Sequence, residues 1–334
     1  MNVSTLTWIA TCAVILGLFL FDFVFNARKP HAPSFKESAT WSVVYIALAV
    51  IFGLYVIWQW GGTYGGEYFA GYVTEKALSV DNIFVFTIIM TSFAVPREHQ
   101  QKVLLIGIVL ALVMRGAFIA AGAALIAQFS WVFYIFGAFL VYTAITLLKQ
   151  GENDDEDFKE NFLIRWSKRA LPISSSFGDG KMTTIAATTG KRLFTPMLIV
   201  MIAIGTTDLI FALDSIPAIF GITKEPYLVF TANVFALMGL RQLYFLLGGL
   251  LERLVYLNIG LAVVLAFIGV KLFLEALHTN SVPFINGGHG LHWAPEIPIW
   301  LSLLVILGTL GVATAASLVK SSRDRRKELV DFNS

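Results

Sequence analysis

Five carboxylates lie inside apolar stretches of this chain: Asp22, Glu75, Asp81, Asp208 and Asp214, with Glu67 and Glu275 nearer the stretch ends. Lys76, Arg115, Arg241 and Lys271 share those surroundings. Ionisable groups in such places are costly, so they are kept for a partner or for a function. Two readings stay open: structural ion pairs, or ligands and counter-charges for a cation. The acids are not scattered. EKALSVDNIFVF from Glu75 and DLIFALDSIPAI from Asp208 align without gaps, matching Glu75 to Asp208, Asp81 to Asp214 and Asn82 to Ser215. Each copy reads acid, five residues, acid, small polar residue.

Carboxylates, an Asn amide and Ser or Thr hydroxyls are hard oxygen donors, suited to Mg²⁺, Ca²⁺ or Mn²⁺. His31, His99, His278, His289 and His292 sit in loops or at segment ends, and Cys12 is the single cysteine. A buried Zn²⁺ or Cu⁺ centre built on nitrogen and sulfur is therefore not expected. A six-residue step turns a helix by about 600°, leaving the two acids of a motif about 120° apart. Unwinding would bring them together. Pro217 leaves the carbonyl of Leu213 without its helical donor, and Gly205 and Gly221 flank the segment, so a broken helix is expected there. A proline kink serving only packing is the alternative. Arg115 and Arg241 invite a similar choice. Each is either a counter-charge that gives way to an entering dication or a permanent bridge.

The elements that must position these groups follow from composition. Of 334 residues, 57% are hydrophobic and 14% charged, with a net charge of +2 and a mean hydropathy of +0.75. Soluble domains carry roughly 25% charged residues, so a soluble, disordered or nucleic-acid-binding protein is excluded. Apolar runs of about 20 residues read as spanning helices. Nine occur, near 6–25, 41–60, 67–94, 103–126, 129–148, 196–220, 227–249, 254–277 and 297–319. β-barrel alternation is absent. An all-α polytopic bundle is predicted, as a single membrane domain. The 24 Lys and Arg residues divide as 19 in one set of loops, Lys224 alone in the other and four within spans. By the positive-inside tendency this puts the N-terminus outside and the C-terminus in the cytoplasm. The first span lacks a basic n-region and a cleavage site and reads as retained. The one long loop, 149–195, predicts a capped helix from Asn153 with Phe158, Phe162 and Trp166 along it, and a turn at 178–180.

Arg115 closes ALVMR and Arg241 closes ALMGLR, an echo of the motif repeat. Three spans per unit, about 67–148 and 196–277, enter the membrane from opposite sides. Inverted repeats of this kind are common in secondary transporters, with sites near the midplane. No HExxH or GxSxG motif occurs and no buried His can act as a base, so an enzyme is not expected.

GEYFAGYVTEKALSVDNIFVF (66–86), FGAFLVYTAITLL (136–148), TDLIFALDSIPAIFGIT (207–223), VFTANVFALMGLRQLYFLL (229–247) and LAFIGVKL (265–272) together resemble the TerC family of bacterial integral membrane proteins. The resemblance implies a plasma-membrane exporter of divalent cations, Mn²⁺ foremost, or a membrane partner that supplies metal to exported enzymes or a secretion complex. A direct tellurite handler fits poorly, because an anion would face an acid-lined path. The resemblance further implies Glu75, Asp81, Asp208 and Asp214 as the intramembrane acids, with Asn82 and Ser215 beside them. The metal would be substrate rather than tightly bound cofactor. Asp22 matches an acid at the end of the family's first span. Asp22, Glu67, Arg115, Arg241 and Lys271 are read as supporting residues. Many members carry a Glu where this chain has Gly205, which leaves one negative charge fewer. Proton exchange is a plausible coupling, since buried carboxylates can trade protons for metal.

Overall fold

The computed structural model describes residues 1–24, 33–129, 131–150, 172–174, 177, 182–185, 192–247, 256–280, 282, 286, 289–291 and 295–332. The chain runs through α1 (Thr5–Asp22), α2 (Phe35–Trp60), α3 (Gly62–Ser92), α4 (Arg97–Gln128), α5 (Val132–Gln150), α6 (Pro196–Phe220), α7 (Pro226–Met238), α8 (Leu240–Leu247), α9 (Leu257–His278) and α10 (Ile299–Phe332). Local chemistry sets several starts. Ser4 and Ser34 accept the backbone N–H of Thr7 and Glu37 at the heads of α1 and α2, relieving donors that a helix start leaves unpaired. Pro196 and Pro226 open α6 and α7, where a missing N–H costs nothing. Gly61 alone joins α2 to α3 at φ +97°, a left-handed conformation that only glycine adopts freely.

Eight segments are long and apolar enough to cross a membrane, α7 and α8 together forming one of them. The ninth is α3. Its 31 residues reach about 46 Å at 1.5 Å per residue, and it misses an apolar criterion only because Glu67, Glu75, Lys76 and Asp81 lie on it. Eight of the nine expected spans thus appear among the described residues as helices long and apolar enough to cross a membrane, and the remaining one, 67–94, falls on the more polar α3. A short antiparallel pair, β1 (Thr183–Ile185) and β2 (Arg192–Phe194), lies within the long loop, where no strand was expected. The predicted loop helix from Asn153 and the turn at 178–180 lie outside the described residues.

We call the end bearing Gly61, residues 221–225 and residues 295–298 the upper end. Burial locates the centre of the bundle. The α7–α8 span has 83% of its apolar window buried, against 11% for α1 and 17% for α10. Around that centre, α3 packs on α7, α4 on α6 and α5 on α9. The α5–α9 crossing is reciprocal. A Cβ on Gly137 would meet the Gly269 carbonyl at 2.9 Å, and one on Gly269 would meet the Gly137 carbonyl at 3.0 Å. Small residues there let the two backbones touch.

Candidate metal-ion site around Arg115

Glu75, Ser79 and Asn82 fall on one stripe of α3, because steps of four and three residues nearly restore direction on a helix. Asp208 and Ser215, seven apart, stand in the same relation on α6. The fold buries both stripes completely: Glu75 is 0% exposed, Asp208 1%, Asn82 and Ser215 2%. Arg115 of α4 joins them. Its Nε and Nη2 donate to the two oxygens of Asp208 at 3.1 and 3.2 Å, the two-pronged geometry that a guanidinium suits. Its Nη1 donates to Glu75 Oε1 and, at 3.0 Å, to Ser215 Oγ. Glu75 Oε2 has no hydrogen-bond partner. With both acids ionised, two carboxylates share one guanidinium and the trio is short of one positive charge. An uncompensated buried charge is costly, so the cluster has use for a proton or a cation.

Beside the trio lies a cavity of about 40 Å³ lined by Asn82, Arg115, Thr143, Asp214 and Ser215 along with apolar side chains. That is room for one or two waters or a largely dehydrated ion. Asp214 accepts a hydrogen bond from Thr143 Oγ1 of α5 at 3.4 Å. It therefore points to the cavity's far side, as the 120° offset from Asp208 requires. The second half of each motif thus acts differently from its first half. What converges is the acid and the polar residue seven positions on, rather than the two acids six apart. Asp81 lies on α3, and its side chain falls outside the described residues. No three His, Cys, Asp or Glu side chains come together as a metal cluster among the described residues.

The expected break at Pro217 is not found. α6 runs through Pro217 to Phe220, since a proline this close to a helix end disturbs only the last turns. A break occurs instead at Gly239, between α7 and α8. There Lys76 Nζ donates to the carbonyl of Ala236 at 2.9 Å, capping the negative end of the shortened helix. A Cβ on Gly239 would lie 3.0 Å from that ammonium. At Gly205 a Cβ would meet Leu110 Cδ2 at 2.6 Å, so a larger residue there requires the half-exposed Leu110 side chain to move.

The supporting residues divide between the two ends. At the lower end Arg241 Nη2 donates to Asp22 Oδ1 at 2.7 Å, both side chains buried. At the upper end Glu67 accepts from Thr223 Oγ1 at 2.5 Å, Lys224 pairs with Glu275, and Glu225 holds the Met1 amine at 2.7 Å. Lys271 Nζ reaches Ser302 Oγ at 3.4 Å. Glu67, Thr223, Lys224, Glu225, Lys271 and Glu275 line a second cavity of about 620 Å³. His278 meets Glu296 there at 3.1 Å. The Met1 amine is held above its usual pKa, chiefly by its hydrogen bond to the Glu225 carboxylate. Two residues near the centre escaped the sequence reading. Thr143 and Asn233 lie in largely apolar runs, each near a further threonine (Thr146 and Thr231), and no motif spacing marks either of them.

The chain matches the integral membrane protein TerC family over residues 60–325. An uncharacterized membrane protein of Mycobacterium tuberculosis is 49% identical over 320 residues, covering 95% of this chain and 80% of that protein. An uncharacterized membrane protein of Myxococcus xanthus is 38% identical over 314 residues, covering 94% and 92%. Alx of Escherichia coli, named as a proposed membrane-bound redox modulator, is 35% identical over 316 residues, covering 92% of each chain. No solved structure matches. With a family match across most of its length and relatives aligned nearly end to end, this chain belongs to the TerC family of integral membrane proteins.

Proposed function

We propose that the chain is a secondary transporter that exports a hard divalent cation, Mn²⁺ foremost, from the bacterial cytoplasm. The observation that carries this reading is the charge-deficient trio of Glu75, Asp208 and Arg115 beside an oxygen-lined cavity at the junction of the two motif helices. An entering dication takes over the two carboxylates, with Ser215 and Asn82 as neutral oxygen donors and Asp214 on the far wall of the cavity, while Arg115 withdraws. Two carboxylates then balance one dication, and the site becomes neutral. When the ion leaves, Arg115 returns. A proton taken up by one carboxylate makes good the remaining charge, which couples export to proton entry.

We read the two motif helices as the leading helices of an inverted repeat. The exchanged packing of α3 on α7 and α4 on α6, together with the reciprocal α5–α9 crossing, supports that reading. The 19-to-1 distribution of loop bases places the upper end outside. The 620 Å³ cavity is then the exit vestibule and the Asp22–Arg241 pair the cytoplasmic closure. A redox role of the kind the Alx relatives are named for would need something other than a dithiol, since Cys12 is the sole cysteine.

The test is Mn²⁺ flux through purified protein in proteoliposomes, with and without a pH gradient. Flux above that of protein-free vesicles, accelerated by an opposing proton gradient and lost in Glu75→Gln, is expected. Wild-type flux no greater than that of empty vesicles overturns the reading.

A further inference from the structure

Asn233 is 1% exposed, yet among the described residues neither its amide oxygen nor its amide nitrogen has a hydrogen-bond partner. Leaving a buried amide unpaired forfeits its hydrogen bonds to water without replacing them. Buried polar groups nearly always find partners, so an idle one calls for an explanation. Three contacts locate it. A Cβ on Gly71 of α3 would touch Ala232 Cβ at 3.4 Å, and Lys76 of α3 donates to the Ala236 carbonyl at 2.9 Å. The α3-facing side of α7 therefore holds Ala232 and Ala236. A Cβ on Gly116 of α4 would approach the Phe230 ring at 4.0 Å, so the α4-facing side holds Phe230. At 100° per residue, position 233 points between these two directions, into the seam that Arg115 crosses to reach Glu75. Glu75 itself lies one helical turn beyond Gly71, on the face turned toward α6 and α7. Its Oε2 is another buried oxygen without a partner among the described residues, as are Thr74 Oγ1 and Ser79 Oγ on the same helix.

We propose that Asn233 is a ligand of the transported cation, supplying a neutral oxygen to the ion held by Glu75 and Asp208. This inference rests on the transport reading above. A hard divalent ion takes about six oxygens, and Glu75, Asp208 and Ser215 do not fill that shell. An amide oxygen adds a donor without adding charge, so two carboxylates still neutralise the dication and release remains possible. The amide nitrogen is free to donate to Glu75 Oε2 and fix that carboxylate's orientation, as outer partners do for metal ligands. In the present arrangement Arg115 holds both oxygens of Asp208 and one oxygen of Glu75, and Asn233 has no partner among the described residues. Its idleness and the closure by Arg115 are then two sides of one state.

Initial Mn²⁺ flux is measured against concentration in proteoliposomes for wild type, Asn233→Leu and Asn233→Asp. The leucine variant keeps the volume and removes the oxygen. Its KM is expected to rise about tenfold while Vmax stays near that of wild type. The aspartate variant keeps an oxygen and adds a charge, so its KM stays at or below the wild-type value and its Vmax falls as release slows. If the leucine variant does not fold, Asn233→Ser, which retains a more distant oxygen, carries the same expectation at smaller size. An unchanged KM in the leucine or serine variant alongside active wild type overturns the role of Asn233 and leaves transport standing. Equal damage in the aspartate and leucine variants, which a merely structural role predicts, overturns it as well. Inactive wild type removes both this inference and the transport reading.

Discussion

Arg115 meets two carboxylates, and Arg241 meets one. Both guanidiniums are buried, at 1% and 4% exposure, and both close contacts between segments far apart in sequence. Arg241 and Asp22 form a one-to-one pair, although Arg241 Nη1 is buried without a hydrogen-bond partner among the described residues. Arg115, Glu75 and Asp208 do not cancel. One buried region sets one acid against one base; the other sets two acids against one base, beside a cavity of about 40 Å³. The same residue type in the same solvent thus separates into a latch and a site by the count of acids around it.

That contrast breaks most visibly when one acid is removed from each. Asp22→Asn leaves Arg241 charged, buried and alone, the situation that costs about 3–5 kcal/mol in buried pairs. Thermal unfolding in detergent is expected to show that loss. Replacing the whole pair, Asp22→Leu with Arg241→Met, is expected to restore stability to within about 1–2 kcal/mol. A double variant as unstable as the single would mean that the pair has work beyond closure.

Asp208→Asn does the reverse. Arg115 keeps Glu75, and the pair that remains is balanced, so the fold is expected to survive near wild-type stability. The charge that admits a dication is gone, and Mn²⁺ flux falls by at least about 100-fold. A variant that loses stability as Asp22→Asn does, or one that keeps its flux, would erase the distinction between the two arginines.

This distinction was only partly open to a reader of the sequence. The spans, their order and the importance of Glu75 and Asp208 follow from apolar run length and from charge placed where charge is costly. The matching of Asn82 to Ser215 was also visible, but its meaning was not. Both motifs advertise two acids six apart, while the helix brings together positions seven apart. A continuous α6 leaves Asp214 on the cavity's far wall. Pro217 looked like the breaking point, and Gly239 proved to be one because Lys76 compensates the carbonyls freed there. No local signal could pair Asp22 with Arg241 across 219 positions, since that contact exists only once α1 is laid against α8. Asn233 was hidden for a simpler reason. A single amide in an apolar run has no periodicity.

Gly205 sharpens the comparison from another side, because a glutamate there would add a third acid near Arg115. Leu110 stands in the way at 2.6 Å from a built Cβ. Gly205→Glu is expected to cost about 1–3 kcal/mol as overpacking, measured by thermal unfolding, and Leu110→Ala in the same chain is expected to return part of it. If the double variant folds, its Mn²⁺ affinity should exceed that of wild type, since the site would hold a larger surplus of negative charge.

The smallest expected effect tests whether Asp214 belongs to the site or to the packing. Thr143 Oγ1 is placed to donate to Asp214 Oδ1, at a long 3.4 Å. Thr143→Val keeps the shape and removes the hydroxyl, a change worth about 1 kcal/mol or less for a bond of this kind. If Asp214 meets the ion from the far wall of the 40 Å³ cavity, the hydroxyl holds the carboxylate at the right angle. The flux KM should then rise by a few fold, in keeping with about 1 kcal/mol, with no change in unfolding temperature beyond about 2–4 °C. If stability falls and KM stays put, Asp214 is a packing acid. The site would then be the Arg115 trio alone, drawn from the first acid of each motif.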